Sequence, residues 1–161
     1  MTERSPFFSQ AEPPSLQEQT YIVLQRSADR LQARFAKWLK TSGLSPTQYN
    51  ALRILRGAGE QGLPCREIGE RMITRDPDIT RLVDRLAKRG LVLRSHDKKD
   101  RRVVRAAITK AGLEQLKQLD APLREFLRGL LRHMDDGRLR QLIDLLENVA
   151  LEQPPARESC P

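Results

Sequence analysis

The chain has 161 residues, enough for one domain with extended arms to bury a core without covalent staples. Its formal net charge is +8 with both signs abundant, so the excess is a bias on a solvated surface rather than a polybasic tail, and nucleic acid leads the candidate partners. Cys65 and Cys160 form neither a disulfide framework nor a zinc spacing, and neither a leader-like N-terminus nor a run of about eighteen apolar residues occurs, so a reduced, cytoplasmic setting away from membranes is expected.

Residues 1–14 and 153–161 are proline-rich and polar and are predicted to be flexible arms around a single unit at 15–152. Ser15-Leu-Gln-Glu18 is a capping-box pattern, and Tyr21, Leu24, Ala28, Leu31, Phe35 and Trp38 follow at steps of three and four, predicting an amphipathic helix to about residue 40. Ser45-Pro46-Thr47-Gln48 repeats the start signal, with Tyr49, Leu52 and Leu55 on one stripe before GAGEQG ends the helix. Residues 66–72 make a helix too short to stand alone, followed by a turn at Ile73 and Thr74. Asp76 with Pro77 behind it is the expected N-cap of the next helix, whose inner face is Ile79, Leu82, Val83 and Leu86 and which ends at Gly90. Two short strands, at 91–93 and 103–108, are joined by a charged segment at 95–102. Thr109 caps a helix marked by Leu113, Leu116, Leu123, Phe126, Leu127, Leu130 and Met134, kinked at Pro122 and broken at Asp135-Asp136-Gly137. Leu139, Leu142, Leu146 and Val149 share one seam of a last helix.

The seams of the first and last helices either pack on each other within one chain or are buried by a second subunit. Between them, a short helix, a turn, a helix with a charged outer face and a hairpin make a winged helix-turn-helix, in a mainly α fold with a small β-hairpin wing. Thirteen Lys and Arg against seven Asp and Glu fall within residues 66–105, which places six units of the net +8 there. An α-helix fits the major groove of B-DNA and a basic loop beside it reaches an adjacent minor groove. The outward positions of the fourth helix include Asp78, Thr80, Arg81, Asp84, Arg85 and Lys88, while Thr74 and Arg75 enter from the preceding turn. Such a face is also what a solvated helix presents, with Asp84 and Lys88 paired four residues apart. Lys98, Lys99, Arg101 and Arg102 crowd the wing, where their mutual repulsion has no folding benefit and an external polyanion would offset it.

LSPTQYNALRIL at 44–55, REIGERM at 66–72 and ITRLVDRLAKRGLVLRSHDKKDRRVVRAAITKAG from Ile79 resemble the MarR family of transcriptional regulators over roughly residues 31–146. The most specific part is the wing pattern Asp97, Asp100, Arg101 and Arg102 followed by Thr109-x-x-Gly112. The resemblance implies a homodimer, built by helices at about 15–41 and 110–152, that sets two winged units at about 45–109 in successive major grooves of a pseudo-palindrome in double-stranded DNA. It also implies wing-orienting roles for Asp76, Asp97 and Asp100, with Asp76 pairing with the wing arginine Arg102. Pro64 stands where the family usually has Thr or Ser, which removes a capping box with Glu67, and Lys99 stands where Arg is frequent.

Family members often release DNA when a small aromatic or phenolic anion binds between the dimer helices and the winged domain. Tyr21, Trp38, Tyr49 and Arg53 are possible lining residues, but the aromatics lie on helical stripes, which favours a core role, and no ligand residue is assigned. Relatives that sense oxidants through a cysteine near the first helix are not matched. Cys65, at a helix start beside Arg66, is the alternative redox site, set against the commoner role of a lone cysteine as a small buried hydrophobe. Ser95-His96-Asp97 carries triad residue types, yet neighbours on a strand point in alternating directions and form no relay, so no enzyme, catalytic metal or cofactor is expected. The remaining alternative is an architectural protein that binds DNA without sequence preference.

Overall fold

A computed structural model describes residues 14–74, 78–97 and 100–151, so both proline-rich arms, apart from Pro14, lie outside the described residues. Helix α1 spans Leu16–Leu39 and opens on the expected capping box, in which the Ser15 hydroxyl accepts from Glu18 N and the Glu18 carboxylate accepts from Ser15 N. That bonding holds the Glu18 carboxyl below the usual carboxylate range. A 3-10 turn at Lys40–Ser42 follows and closes at Gly43, whose φ of 68° suits a residue without Cβ. Helix α2 spans Pro46–Ala58 with a second capping box between Ser45 and Gln48.

Strand β1 is only Leu63–Pro64, α3 is Cys65–Arg71 and α4 is Ile79–Lys88. Strands β2 (Val92–His96) and β3 (Val104–Ile108) form the hairpin, and β1 adds to its other side, giving the antiparallel order β1-β3-β2. Ser95 faces Arg105 and His96 faces Val104 in β2 and β3, while Pro64 faces Arg105 across β1. The hairpin strands are therefore displaced from the expected 91–93 and 103–108, because the polar Arg94, Ser95 and His96 keep the ladder although their side chains are exposed. β1 was not foreseen: two residues carry no period, and Pro64 argues against a strand except at an edge, where it sits.

Helix α5 spans Lys110–Leu131 and runs through Pro122, stopping short of Met134; α6 spans Asp136–Leu151. Asp135 both ends the connection and starts α6, since its carboxylate accepts from Arg138 N at 2.9 Å. The chain falls into two compact units that divide at Leu116 within α5.

The core of the first unit is aliphatic: Leu39, Leu52, Leu55, Ile68, Leu82, Val83, Leu86 and Leu116 are fully buried, and no polar side chain among the described residues is buried with them. Tyr49 is buried against the edge of Phe35, Phe35 stacks on Trp38, and the Arg53 guanidinium lies 6.0 Å from the Tyr49 ring centre. Tyr21, expected on the same core stripe, is instead 64% exposed, and Leu16, Val23 and Leu31 of α1 are exposed as well. Taken by itself, α6 leaves Leu142, Ile143, Leu145, Leu146 and Val149 open to solvent.

Candidate nucleic-acid interface

Helix α4 is built to expose one face. Leu82, Val83 and Leu86 recur at the helical period and are buried, which turns Thr80, Arg81, Arg85 and Lys88 outward. Gly69 of α3 lets α3 approach closely, since a Cβ there would stand 3.2 Å from Ile79 Cγ1. The turn between the two helices is held by Asn50, whose Oδ1 accepts from Ile73 N at 3.1 Å. The N-cap of α4 is Asp78 rather than Asp76: the helix begins at Ile79, and the carboxylate in reach of the free Arg81 N is that of Asp78, at 3.0 Å. The same carboxylate meets Arg81 Nε at 3.1 Å, so Asp78 both caps the helix and steers an arginine whose side chain is 83% exposed.

Asp84 pairs with Arg94 Nε at 3.1 Å, not with Lys88, because the hairpin strand β2 passes beside α4 and brings a cation closer than the next helical turn does. This bridge joins recognition helix to wing. At the other end of α4, Arg89 Nη1 donates to Gly43 O at 2.7 Å. The motif Thr109-x-x-Gly112 fixes the start of α5 to the same corner. Thr109 N donates to Leu91 O at 3.0 Å, its hydroxyl donates to Gly90 O at 2.7 Å, and that hydroxyl accepts from Gly112 N at 3.1 Å.

The wing turns on two carboxylates. Asp97 Oδ1 accepts from Asp100 N at 3.4 Å and Asp100 Oδ1 accepts from Arg102 N at 2.9 Å, while Val103 N donates to Asp100 O at 3.0 Å. His96 Nδ1 is 2.7 Å from Arg101 O, which spends the ring on the tip, and Asp97 Oδ2 meets Arg105 Nη1 at 3.3 Å. Arg101 and Arg102 are both exposed, and their backbone rather than their side chains makes the bonds that shape the tip among the described residues. Arg75, Asp76, Lys98 and Lys99 lie outside the described residues, and with them the expected bridge from Asp76 to Arg102. Thr74 is exposed at the end of the turn.

Cys65 is half-buried, and burial pushes its thiol up, with the Arg94 guanidinium pulling down and Asp84 pushing up beside it. A raised thiol is the opposite of an activated one. Pro64 gives α3 no side-chain cap, as its substitution for Thr or Ser implies, and Glu67 turns to Arg71 at 3.3 Å. Sequence reasoning missed Asn50, Arg89, Arg94 and Arg105. Arg105 alone carried a signal, as a charge in the middle of an apolar strand.

Residues 44–104 match the model of the MarR family. The uncharacterized HTH-type transcriptional regulator YcgE of Bacillus subtilis is 32% identical over 108 residues, covering 67% of this chain and 69% of that protein. A MarR transcription factor from Planctomyces limnophilus is 42% identical, covers 84% of this chain and 98% of its own, and superposes with a TM-score of 0.66. CouR from Rhodococcus jostii, solved bound to p-coumaroyl-CoA, is 26% identical over 89% of this chain and 100% of its own, with a TM-score of 0.70. A helix-turn-helix whose outer face is polar, a carboxylate-braced wing and these likenesses converge: the chain belongs to the MarR family of winged-helix transcriptional regulators.

Proposed function

We propose that the protein is a sequence-specific repressor that binds double-stranded DNA as a homodimer and is released by a small aromatic effector. The observation that carries this is the division of labour on α4, where an aliphatic face fixes the helix in the core and Thr80, Arg81 and Arg85 stand clear of it. In this reading α4 enters the major groove. Arg81 bridges a guanine in two bonds or holds phosphate, Thr80 meets phosphate or a thymine methyl, and Thr74, Arg75, Asp78 and Arg85 flank them. The wing cations Lys98, Lys99, Arg101 and Arg102 lie along the backbone or in the adjacent minor groove, with Asp76, Asp97 and Asp100 orienting the tip.

The homodimer is supported by the apolar residues exposed on α1 and on α6, which a lone subunit would leave in water. Two-fold pairing then sets two copies of α4 about 34 Å apart, one helical turn of DNA, which calls for a pseudo-palindromic operator. An aromatic acid or its thioester fits the effector class, given p-coumaroyl-CoA in CouR. An effector that binds the DNA-free form a hundredfold more tightly weakens DNA binding by about 2.7 kcal/mol. Selection of bound duplexes from a random pool, with and without aromatic acids and their thioesters, tests the whole reading. One palindrome preferred by about a thousandfold at fixed salt is expected. Uniform binding to all duplexes would replace the regulator with an architectural protein.

A further inference from the structure

We propose that Arg105 is a positioning residue for DNA binding: it fixes the wing tip to the body of the domain without touching the duplex. It stands on β3, in the middle of the sheet, with its side chain 29% exposed. Its guanidinium makes a fork between two parts of the chain. Nη2 donates to Gly62 O at 3.1 Å and to Gln61 O at 3.3 Å, and Nη1 meets Asp97 Oδ2 at 3.3 Å.

The carbonyls belong to the segment that joins α2 to β1, and that segment has no slack. Gly62 has φ of 59°, and a Cβ there would run into the Ala106 carbonyl of β3. The body side of the fork is therefore packed closely against β3. On the other side, Asp97 is where β2 leaves the sheet: its backbone N donates to Val103 O at 2.9 Å, and its second carboxylate oxygen accepts from Asp100 N. Asp100 in turn holds Arg102 N, and His96 holds Arg101 O. The bonds through Asp97 and Asp100 lead from the Arg105 guanidinium to Arg102 N, while His96 ties the neighbouring Arg101 O to β2, so the Asp97 carboxylate bears on the backbone that carries the two cations. Planar bidentate geometry is what lets one side chain hold two carbonyls and a carboxylate together, and lysine lacks it.

The proposal rests on the wing reading above, and salt dependence separates the two. Full-length parent, R105M, R105K, R101A, R102A and the double variant R101A/R102A are titrated onto the selected duplex over a range of salt, and each is melted. Removing a cation that neutralises one phosphate flattens the slope of log K against log salt by about 0.9. R101A and R102A are each expected to flatten it by about 0.9 per subunit, and the double variant by about 1.8. R105M, which removes one shielded charge, is expected to match the double variant, with R105K between it and the parent. A flattening of about 0.9 per subunit or less in R105M that is folded at the assay temperature overturns the proposal, as does a parental slope in R105K. If R105M does not fold, R105K alone decides on the same terms. Parental slopes in R101A, R102A and their double variant would instead remove the wing reading itself.

Discussion

Alanine at Gly112 should destabilise the protein even though the residue is helical. A Cβ at this position would enter the shell of the Leu91 carbonyl oxygen, stand 2.8 Å from Ile108 Cγ1 and 3.3 Å from Leu91 C. Two of these neighbours are backbone, so no side-chain rotation relieves the clash. The start of α5 must retreat by roughly half an ångström or more, and the three bonds that Thr109 makes to Gly90, Leu91 and Gly112 stretch with it. Overpacking of this kind costs about 1 to 3 kcal/mol and each weakened hydrogen bond up to about 1 kcal/mol, against a gain of about 1 kcal/mol in helix propensity. The sum runs from near zero to about 5 kcal/mol and centres on a loss of about 2 to 3 kcal/mol, or roughly 4 to 12 °C in melting temperature for a chain of this size. Gly57, exposed within α2 with nothing within 4 Å of a Cβ, is the matched control, and its alanine variant should hold or gain up to about 1 kcal/mol. Thermal melts at equal protein concentration, followed by far-UV circular dichroism, read both. Equal or higher stability in Gly112→Ala would show that the corner formed by Gly90, Leu91 and Thr109 yields freely, and the packing account of the Thr-x-x-Gly motif would fall.

Leu82→Ala empties a fully buried site behind the exposed face of α4 and should cost about 2 to 5 kcal/mol in urea unfolding, whereas Thr80→Ala on that exposed face should change stability by under about 0.5 kcal/mol. Leu142→Asp should leave a subunit folded, because the side chain is exposed in it, yet raise the dimer dissociation constant about a hundredfold or more in sedimentation velocity. An unchanged constant would exclude α6 from the interface. Burial that raises the Cys65 thiol leaves less thiolate at neutral pH, so Cys65 should alkylate more slowly than free cysteine, and Cys65→Ser should respond to peroxide as the parent does. Loss of a peroxide effect in that variant would restore the redox reading.

Helices were legible in the sequence wherever period and punctuation agreed. Ser15 with Glu18, and Ser45 with Gln48 behind Pro46, name their own helix starts, and the Leu82, Val83 and Leu86 face could be placed without coordinates. The start of α4 was harder, since Asp76 and Asp78 are both capping residues and only backbone geometry chooses Asp78. Pairing across the chain was illegible for a different reason. Asp84 with Arg94, Arg105 with Gln61 and Gly62, and Arg89 with Gly43 join residues 10 to 46 positions apart, where one-dimensional spacing holds no information about distance. The strand 63–64 belongs with these, existing only because β3 offers it a free edge.

The side chains of Thr80, Arg81 and Arg85 are exposed on α4, and among the described residues the Arg81 side chain meets only the Asp78 carboxylate of its own cap. If α4 enters the major groove as proposed, operator preference can drift by substitution at Thr80, Arg81 and Arg85 while the interior stays untouched. A lineage of such proteins could acquire new target genes by changing a few letters, each step passing through a well-folded ancestor, which makes this helix the natural place to begin any deliberate retargeting.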